Sequence, residues 1–307
     1  MARLRPMEFI RRNLFHPLEA AIAFVAYGVF TVLPLNTASA LGGWLAKTIG
    51  PHLGVSRRAV KNLRRVYPEM ADGEIARIIH GMWSNLGRVI GEHPHLNEYR
   101  FVAGGNIELV GAEYIDSVRE AGAPGIFLSA HLANWELMPL AAAERGIPVD
   151  VVYRAANNRM VDWLYRHGRA TVAGAQIPKG PSGARLVLQS LRDGRSLGMV
   201  VDQKMNDGIP VPFFGLTAMT APAAADLALR FGCPLLLARM ERLEGPRMRL
   251  TVLPPIWPEA TDNRQADIIE LMTRINSQFE SWIRERPEQW LWLHNRWPEP
   301  DDDPPPP

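Results

Sequence analysis

The chain has 307 residues, 47% of them hydrophobic and 21% charged, a formal net charge of +2 and a single cysteine. A chain of this length buries a sizeable core, in one large α/β domain or two smaller ones, and its ordinary hydrophobic content excludes a multi-span membrane protein. The lone Cys233 excludes an intramolecular disulfide and a Cys-rich metal site, and its setting, Arg230-Phe-Gly-Cys-Pro-Leu235, marks a small core residue.

The small net charge conceals an asymmetry. Residues 1–65 carry ten Lys and Arg against Glu8 and Glu19, so this end is +8 and the remainder −6. A nucleic-acid arm is seldom interrupted by a long apolar run, yet no charge falls between Ala20 and Ala46. An anionic membrane surface, not nucleic acid, is the expected partner, each nearby basic residue being worth on the order of 1 kcal/mol. The stretch Ala20–Leu33 predicts a helix that anchors the chain at the cytoplasmic leaflet, inserted at its edge or spanning once. A span needs about 20 apolar residues, a length reached only by including Pro34 to Ser39. Basic clusters on both sides leave its orientation open. No small-residue cleavage site follows it, which argues against a secretory signal.

Between Ser56 and Tyr99 the pattern is helical, over Arg58–Tyr67 and from Glu74 through Trp83 to Ile90, with Asp72 a candidate cap. Glu92-His93-Pro94-His95 reads as a loop with two ordinary histidines rather than a metal site. From residue 106 the chain alternates. Predicted strands are Ile107–Val110, Gly125–Ala130, Val149–Tyr153, Ser196–Val201, Leu235–Met240 and Met248–Leu253. Predicted helices cover 111–121, 135–145, 158–170, 182–193 and 220–231. Such alternation predicts an α/β fold, a mainly parallel mixed sheet flanked by helices. Arg264–Arg286 is amphipathic through Ile268, Leu271, Ile275, Phe279 and Trp282, which predicts a closing helix. The run 298–307 has nothing to bury and reads as disordered. The expected organisation is a basic anchor segment over 1–50, an α/β domain with a helical first part over 51–298, and an acidic, Pro-rich tail over 299–307.

In such sheets ligands meet the carboxyl ends of the strands. His131, Arg154 and Asp202 each follow a predicted strand, which places them at one site. The central stretch is Ser129-Ala-His-Leu-Ala-Asn-Trp-Glu136. His131 and Glu136 are five positions apart, about 140° around a continuous helix, so a helix alone does not join them. With His131 ending the strand and Glu136 in the first helical turn, with Asn134 as N-cap, the carboxylate folds back toward one ring nitrogen. The other nitrogen then faces substrate. A carboxylate that fixes the tautomer makes the imidazole a general base for a hydroxyl near neutral pH.

The phrase Phe127-Leu-Ser-Ala-His-Leu-Ala-Asn-Trp-Glu136 resembles the His-x4-Glu signature of the bacterial lipid A biosynthesis (lauroyl/myristoyl) acyltransferases, within the glycerolipid acyltransferase superfamily. Three further stretches resemble the same family in order. They are Val152-Tyr-Arg-Ala-Ala-Asn-Asn158, then Val201-Asp-Gln203 with Val211-Pro-Phe-Phe-Gly215, and Trp292-Leu-His-Asn-Arg-Trp297. The resemblance runs from about residue 10 to about residue 298. It implies acyl transfer from an acyl-carrier-protein thioester to a hydroxyl of a lipid A precursor, at the cytoplasmic side of the bacterial inner membrane. His131 is then the base and Glu136 its orienting acid. Arg154 is assigned to acceptor phosphate or oxyanion, and Asn134, Asn158, Asp202 and Gln203 to the substrate pocket. No cofactor and no metal are expected, because the thioester supplies its own leaving group.

Lys179 and Arg185 add positive charge near the site or form a solvated face. Phe213 and Phe214 offer a wall for an acyl chain or belong to the core. Trp290, Trp292 and Trp297 belong to the core or to a membrane interface. His294 and Arg296 resemble the family's terminal motif and read as structural closure of the site rather than catalysis. Ala155 stands where relatives often carry Pro, and Asp202-Gln203 reverses the order of some members, which leaves the acceptor open. Rival readings are an acyltransferase for a phosphatidylinositol mannoside, a lysophospholipid or an ornithine lipid, and a non-catalytic lipid-binding protein.

Overall fold

A computed structural model describes residues 15–101, 104–170 and 174–297. The acidic tail and the first basic cluster, Arg3 to Arg12, lie outside the described residues. The first described elements are α1 (His16–Val32) and α2 (Leu35–Ile49). The single anchor helix expected over this stretch is therefore two. Pro34 bars helical geometry at the residue before it, and Leu33 is extended at φ −86°, ψ 144°. The 17 residues of α1 fall short of the about 20 apolar residues of the expected span. Among the described residues no helix is long and apolar enough to cross a membrane.

Two more helices follow, α3 (Ser56–Val66) and α4 (Asp72–Glu92). α2 lies against α4 with backbone on backbone. A Cβ at Gly42, Gly87 or Gly91 would run into the facing carbonyls of Gly87, Gly42 and Ala38. Small residues at this spacing let the axes approach closely.

The alternating part gives β1 (Ile107–Val110), α5 (Ala112–Glu120), β2 (Ile126–Ser129), α6 (Met138–Glu144), β3 (Val149–Tyr153), α7 (Arg159–Arg169), β4 (Gln176–Pro178), α8 (Pro181–Arg192) and β5 (Ser196–Val200). An antiparallel hairpin, β6 (Ile209–Phe213) and β7 (Leu216–Thr220), stands apart from the main sheet. Then come α9 (Ala223–Phe231), β8 (Leu235–Glu244), β9 (Arg247–Val252) and α10 (Arg264–Glu285).

Among the described residues the main sheet has seven strands in the order β1-β9-β8-β2-β5-β3-β4. Every pair is parallel except β8 with β9. Each predicted strand and helix of this region has its counterpart. The strands β4, β6 and β7 are not among the predicted ones: Pro178 lies in β4, Pro210 and Pro212 lie in β6, and β7 is a five-residue strand paired only with β6.

Alternate residues of the strands serve two cores. Ile126, Leu128, Leu197, Leu235 and Leu237 face one that includes α9 and α10. Phe127, Val149, Leu236, Ala238 and Leu250 face the other, beneath α5 and α6. Phe213 and Phe214 join Trp290, Trp292 and Trp297 in an aromatic cluster of the first core. They form no wall of the cavity described below.

Candidate active site

The register of the central strands builds the site. β2 and β5 pair with Ser129 opposite Val200, so two residues further on His131 comes beside Asp202. The contact is close. Asp202 Oδ1 accepts from His131 Nδ1 at 2.6 Å, and Oδ2 accepts from the His131 backbone N–H at 2.9 Å and from Trp290 Nε1 at 2.7 Å. Burial would raise the Asp202 pKa, but the adjoining His131 imidazole and these donors hold the carboxyl well below the ordinary range. An ionised carboxylate at Nδ1 fixes the proton there and leaves Nε2 as the ring's lone pair.

Glu136, the acid expected to orient His131, makes no such bond, and the expectation is corrected. Its carboxylate receives Arg169 in a paired contact, Nε to Oε2 at 2.5 Å and Nη2 to Oε1 at 2.6 Å, with Trp135 Nε1 donating to Oε1 at 3.1 Å. Burial pushes its pKa up, and the Arg169 guanidinium more than offsets this, leaving it below the usual carboxylate range. The physical reason is local geometry. A short 3₁₀ turn, Trp135–Leu137, precedes α6 and Ala133 lies at φ +46°, so the carboxylate meets α7 rather than the imidazole. Trp135 stands edge-on to His131 at 5.0 Å between ring centres.

Two other predicted site residues point elsewhere. Asn134 is fully buried and donates to Glu92 Oε2 at 2.8 Å. Glu92 is itself paired with Arg242 through two bonds of 2.5 and 3.0 Å. Asn134 thus ties the loop after β2 to α4 and makes no cap. Asn158 caps α7, accepting from the Met160 N–H, and its amide donates to the His16 carbonyl and to Glu19. It fastens α1 to α7. Neither residue lines the cavity.

That cavity, about 330 Å³, opens at the carboxyl edge of the sheet. His131, Gln203, His294, Arg154 and Lys179 surround its mouth. Tyr153 pairs with Pro178 between β3 and β4, which sets the next residues, Arg154 and Lys179, side by side. From there it runs across one face of the sheet, lined by Val151 and Val149 of β3, Gly198 of β5, Phe127 of β2, Ala238 of β8, and Leu250 and Val252 of β9. Met138, Ala141 and Ala142 of α6 and Ile115 of α5 line it from the helix side. The groove crosses five adjacent strands, a path of about 19 Å at about 4.8 Å per strand. An extended apolar chain suits it.

Arg169 and Trp290 are the contributions that the sequence did not assign to the site, and His294, read as its structural closure, stands in direct contact with Gln203. Arg169 lies on a predicted helix without a distinguishing motif. Trp290 and His294 come from the far end of the chain, which Asn62 of α3 holds in place by donating to the carbonyls of Trp292 and His294 at 2.8 and 2.6 Å.

The sequence profile of the bacterial lipid A biosynthesis acyltransferases matches residues 10–299. A lipid A biosynthesis acyltransferase of Haemophilus influenzae is 22% identical over 284 residues, covering 87% of this chain and 85% of that protein. The lipid A biosynthesis myristoyltransferase and lauroyltransferase of Escherichia coli are each 23% identical, covering 77% of this chain and 73% and 76% of theirs. A solved 1-acyl-sn-glycerophosphate acyltransferase from Thermotoga maritima aligns with a TM-score of 0.36 at 15% identity, covering 82% of this chain and 97% of that one. With nearly its whole length matched, the chain belongs to the bacterial lipid A biosynthesis acyltransferase family and is an O-acyltransferase.

Proposed function

We propose that this protein moves a fatty acyl group from an acyl-carrier-protein thioester to a hydroxyl of a lipid A precursor, a secondary acylation of lipopolysaccharide biosynthesis. One observation carries the reading: His131, with Nδ1 bonded to an ionised Asp202, presents Nε2 at the mouth of a long apolar groove. The acyl chain lies in the groove and its thioester carbonyl rests beside His131. As the acceptor hydroxyl attacks that carbon, its proton passes to His131 Nε2. Asp202 stabilises the imidazolium that forms. When the C–S bond breaks, His131 returns the proton to the departing sulfur, so ester and thiol leave and the enzyme is unchanged.

Arg154 and Lys179, neighbours at the mouth, are suited to a phosphate group on the acceptor. Glu136 then acts through Arg169, holding α7 against the loop that carries His131.

The site works at the cytoplasmic face of the bacterial inner membrane. Supporting this, Leu18, Ile22, Val25, Val29 and Val32 are exposed on one side of α1, at the four-and-three spacing of a single helical stripe. Trp44 of α2 and Trp163 of α7 are exposed as well. A helix of this kind lies in the interface with its apolar side among the lipid tails.

Mass spectrometry of lipid A from cells lacking the protein tests the reading. Loss of one secondary acyl chain, restored by the wild type and not by His131→Ala, is expected. An unchanged lipid A profile overturns it, and purified protein with an acyl-carrier-protein thioester and a panel of lipid acceptors then identifies the true acceptor.

A further inference from the structure

Gln203 follows Asp202 directly, and its side-chain nitrogen stands 3.1 Å from His131 Nε2 and 2.7 Å from His294 Nε2. The proton inventory of this cluster is constrained. Asp202 takes the hydrogen on His131 Nδ1, so His131 Nε2 is an acceptor. An amide NH₂ has two hydrogens and only donates, so it gives one to His131 and the other to His294. Turning the amide over would set its oxygen against the same lone pair on His131. Burial, followed by the nearby His131, pushes the His294 imidazole down to about 4, so the ring is neutral at neutral pH, and the 2.7 Å contact with an amide nitrogen that only donates makes Nε2 its accepting atom.

The segment bearing His294 is firmly held. Besides the Asn62 bonds, Arg58 donates to the Leu293 carbonyl at 3.1 Å. His294 is thus a fixed acceptor, whereas the bond to His131 is one that an incoming hydroxyl competes for.

Resting on the acyl-transfer reading, we propose that Gln203 caps the proton-accepting lone pair of His131 in the substrate-free protein and, on displacement, turns that N–H to the thioester oxygen. The pivot is the bond to His294. The acceptor hydroxyl takes the place of the amide at Nε2 and loses its proton to it. The acceptor oxygen bonds to the acyl carbon, and negative charge gathers on the former carbonyl oxygen. The freed N–H of Gln203, still anchored by its other hydrogen, donates to that oxygen. Gln203 gives up no proton. The C–S bond then breaks and His131 protonates the sulfur. His294 touches no reacting atom and is a positioning residue.

The test compares His294→Leu, which removes the anchor, with His294→Gln, which retains a side-chain acceptor, in the full-length protein. Diethyl pyrocarbonate modification of His131, followed on its peptide by mass spectrometry, reads the cap without any lipid substrate. Turnover of an acyl-carrier-protein thioester with a lipid A precursor reads the second role. In His294→Leu, modification of His131 becomes several-fold faster while kcat falls about 10- to 100-fold and KM stays within about twofold. His294→Gln brings both back near wild type, and unchanged thermal melting of both variants keeps the comparison to folded protein. An unaltered modification rate in His294→Leu, or equal behaviour of the two variants, overturns the proposal. A faster modification rate with no turnover on any lipid A precursor upholds the cap and overturns the acyl-transfer reading instead.

Discussion

His131 Nδ1 and Asp202 Oδ1 stand 2.6 Å apart although 71 positions separate them in the chain. Parallel pairing of β2 with β5 brings both residues to the same level beyond the sheet. The carboxylate that fixes the imidazole is therefore supplied across strands and not by the helix that follows the histidine.

Asp202→Asn is expected to lower kcat about a hundred- to ten-thousand-fold with little change in KM, because an amide no longer stabilises the imidazolium and presents a hydrogen where two other donors already point. Steady-state kinetics on the full-length protein check this. Retention of near-normal kcat would remove Asp202 from the mechanism.

The Glu136–Arg169 pair is mostly buried, with side chains 9% and 16% exposed. Removing one partner strands a charge, so Arg169→Met costs about 3–5 kcal/mol in urea unfolding. The double variant Glu136→Gln/Arg169→Met recovers most of that loss. A Glu136→Gln variant that keeps full stability and loses all turnover would return Glu136 to the chemistry.

Ile115 of α5 lines the groove where it passes over β9 and its neighbours. Ile115→Ala enlarges it and should shift the preferred donor toward longer acyl chains, at a stability cost of about 2–5 kcal/mol. Competition among acyl-carrier-protein thioesters of different length, with products weighed by mass spectrometry, measures the shift. An unmoved preference places the chain elsewhere.

The lowered pKa of His294, about 4, has a definite sign in stability. Between pH 6.5 and 4 the unfolded chain binds a proton at this ring and the folded protein does not, so stability falls as pH drops through that window and is level above it. His294→Gln should lessen the fall by on the order of 1–3 kcal/mol. Urea unfolding at pH 7 and pH 4.5 gives the difference, and equal slopes for both proteins contradict it.

Ile22, Val25 and Val29 are exposed on α1. Replacing all three by Gln should weaken binding to phosphatidylglycerol vesicles by at most about 1.5–3 kcal/mol per residue and leave the melting temperature unchanged. Vesicle co-sedimentation that is indifferent to the change assigns this face another role.

The alternation of strands and helices is legible in the residues alone, because hydrophobic period and turn residues are local properties written within each segment. The sequence also placed His131, Arg154 and Asp202 at strand ends, and showed Cys233 as a core residue, which is 1% exposed. The partners of these residues were set by the folded arrangement. Strand register chose Asp202 over Glu136 for the imidazole, α7 claimed Glu136 through Arg169, and Glu92 claimed Asn134. The docking of the last segment onto α3 brought Trp290 and His294 to residues more than 80 positions away. A side chain's polar partner depends on which elements meet in space, and no local pattern records that meeting.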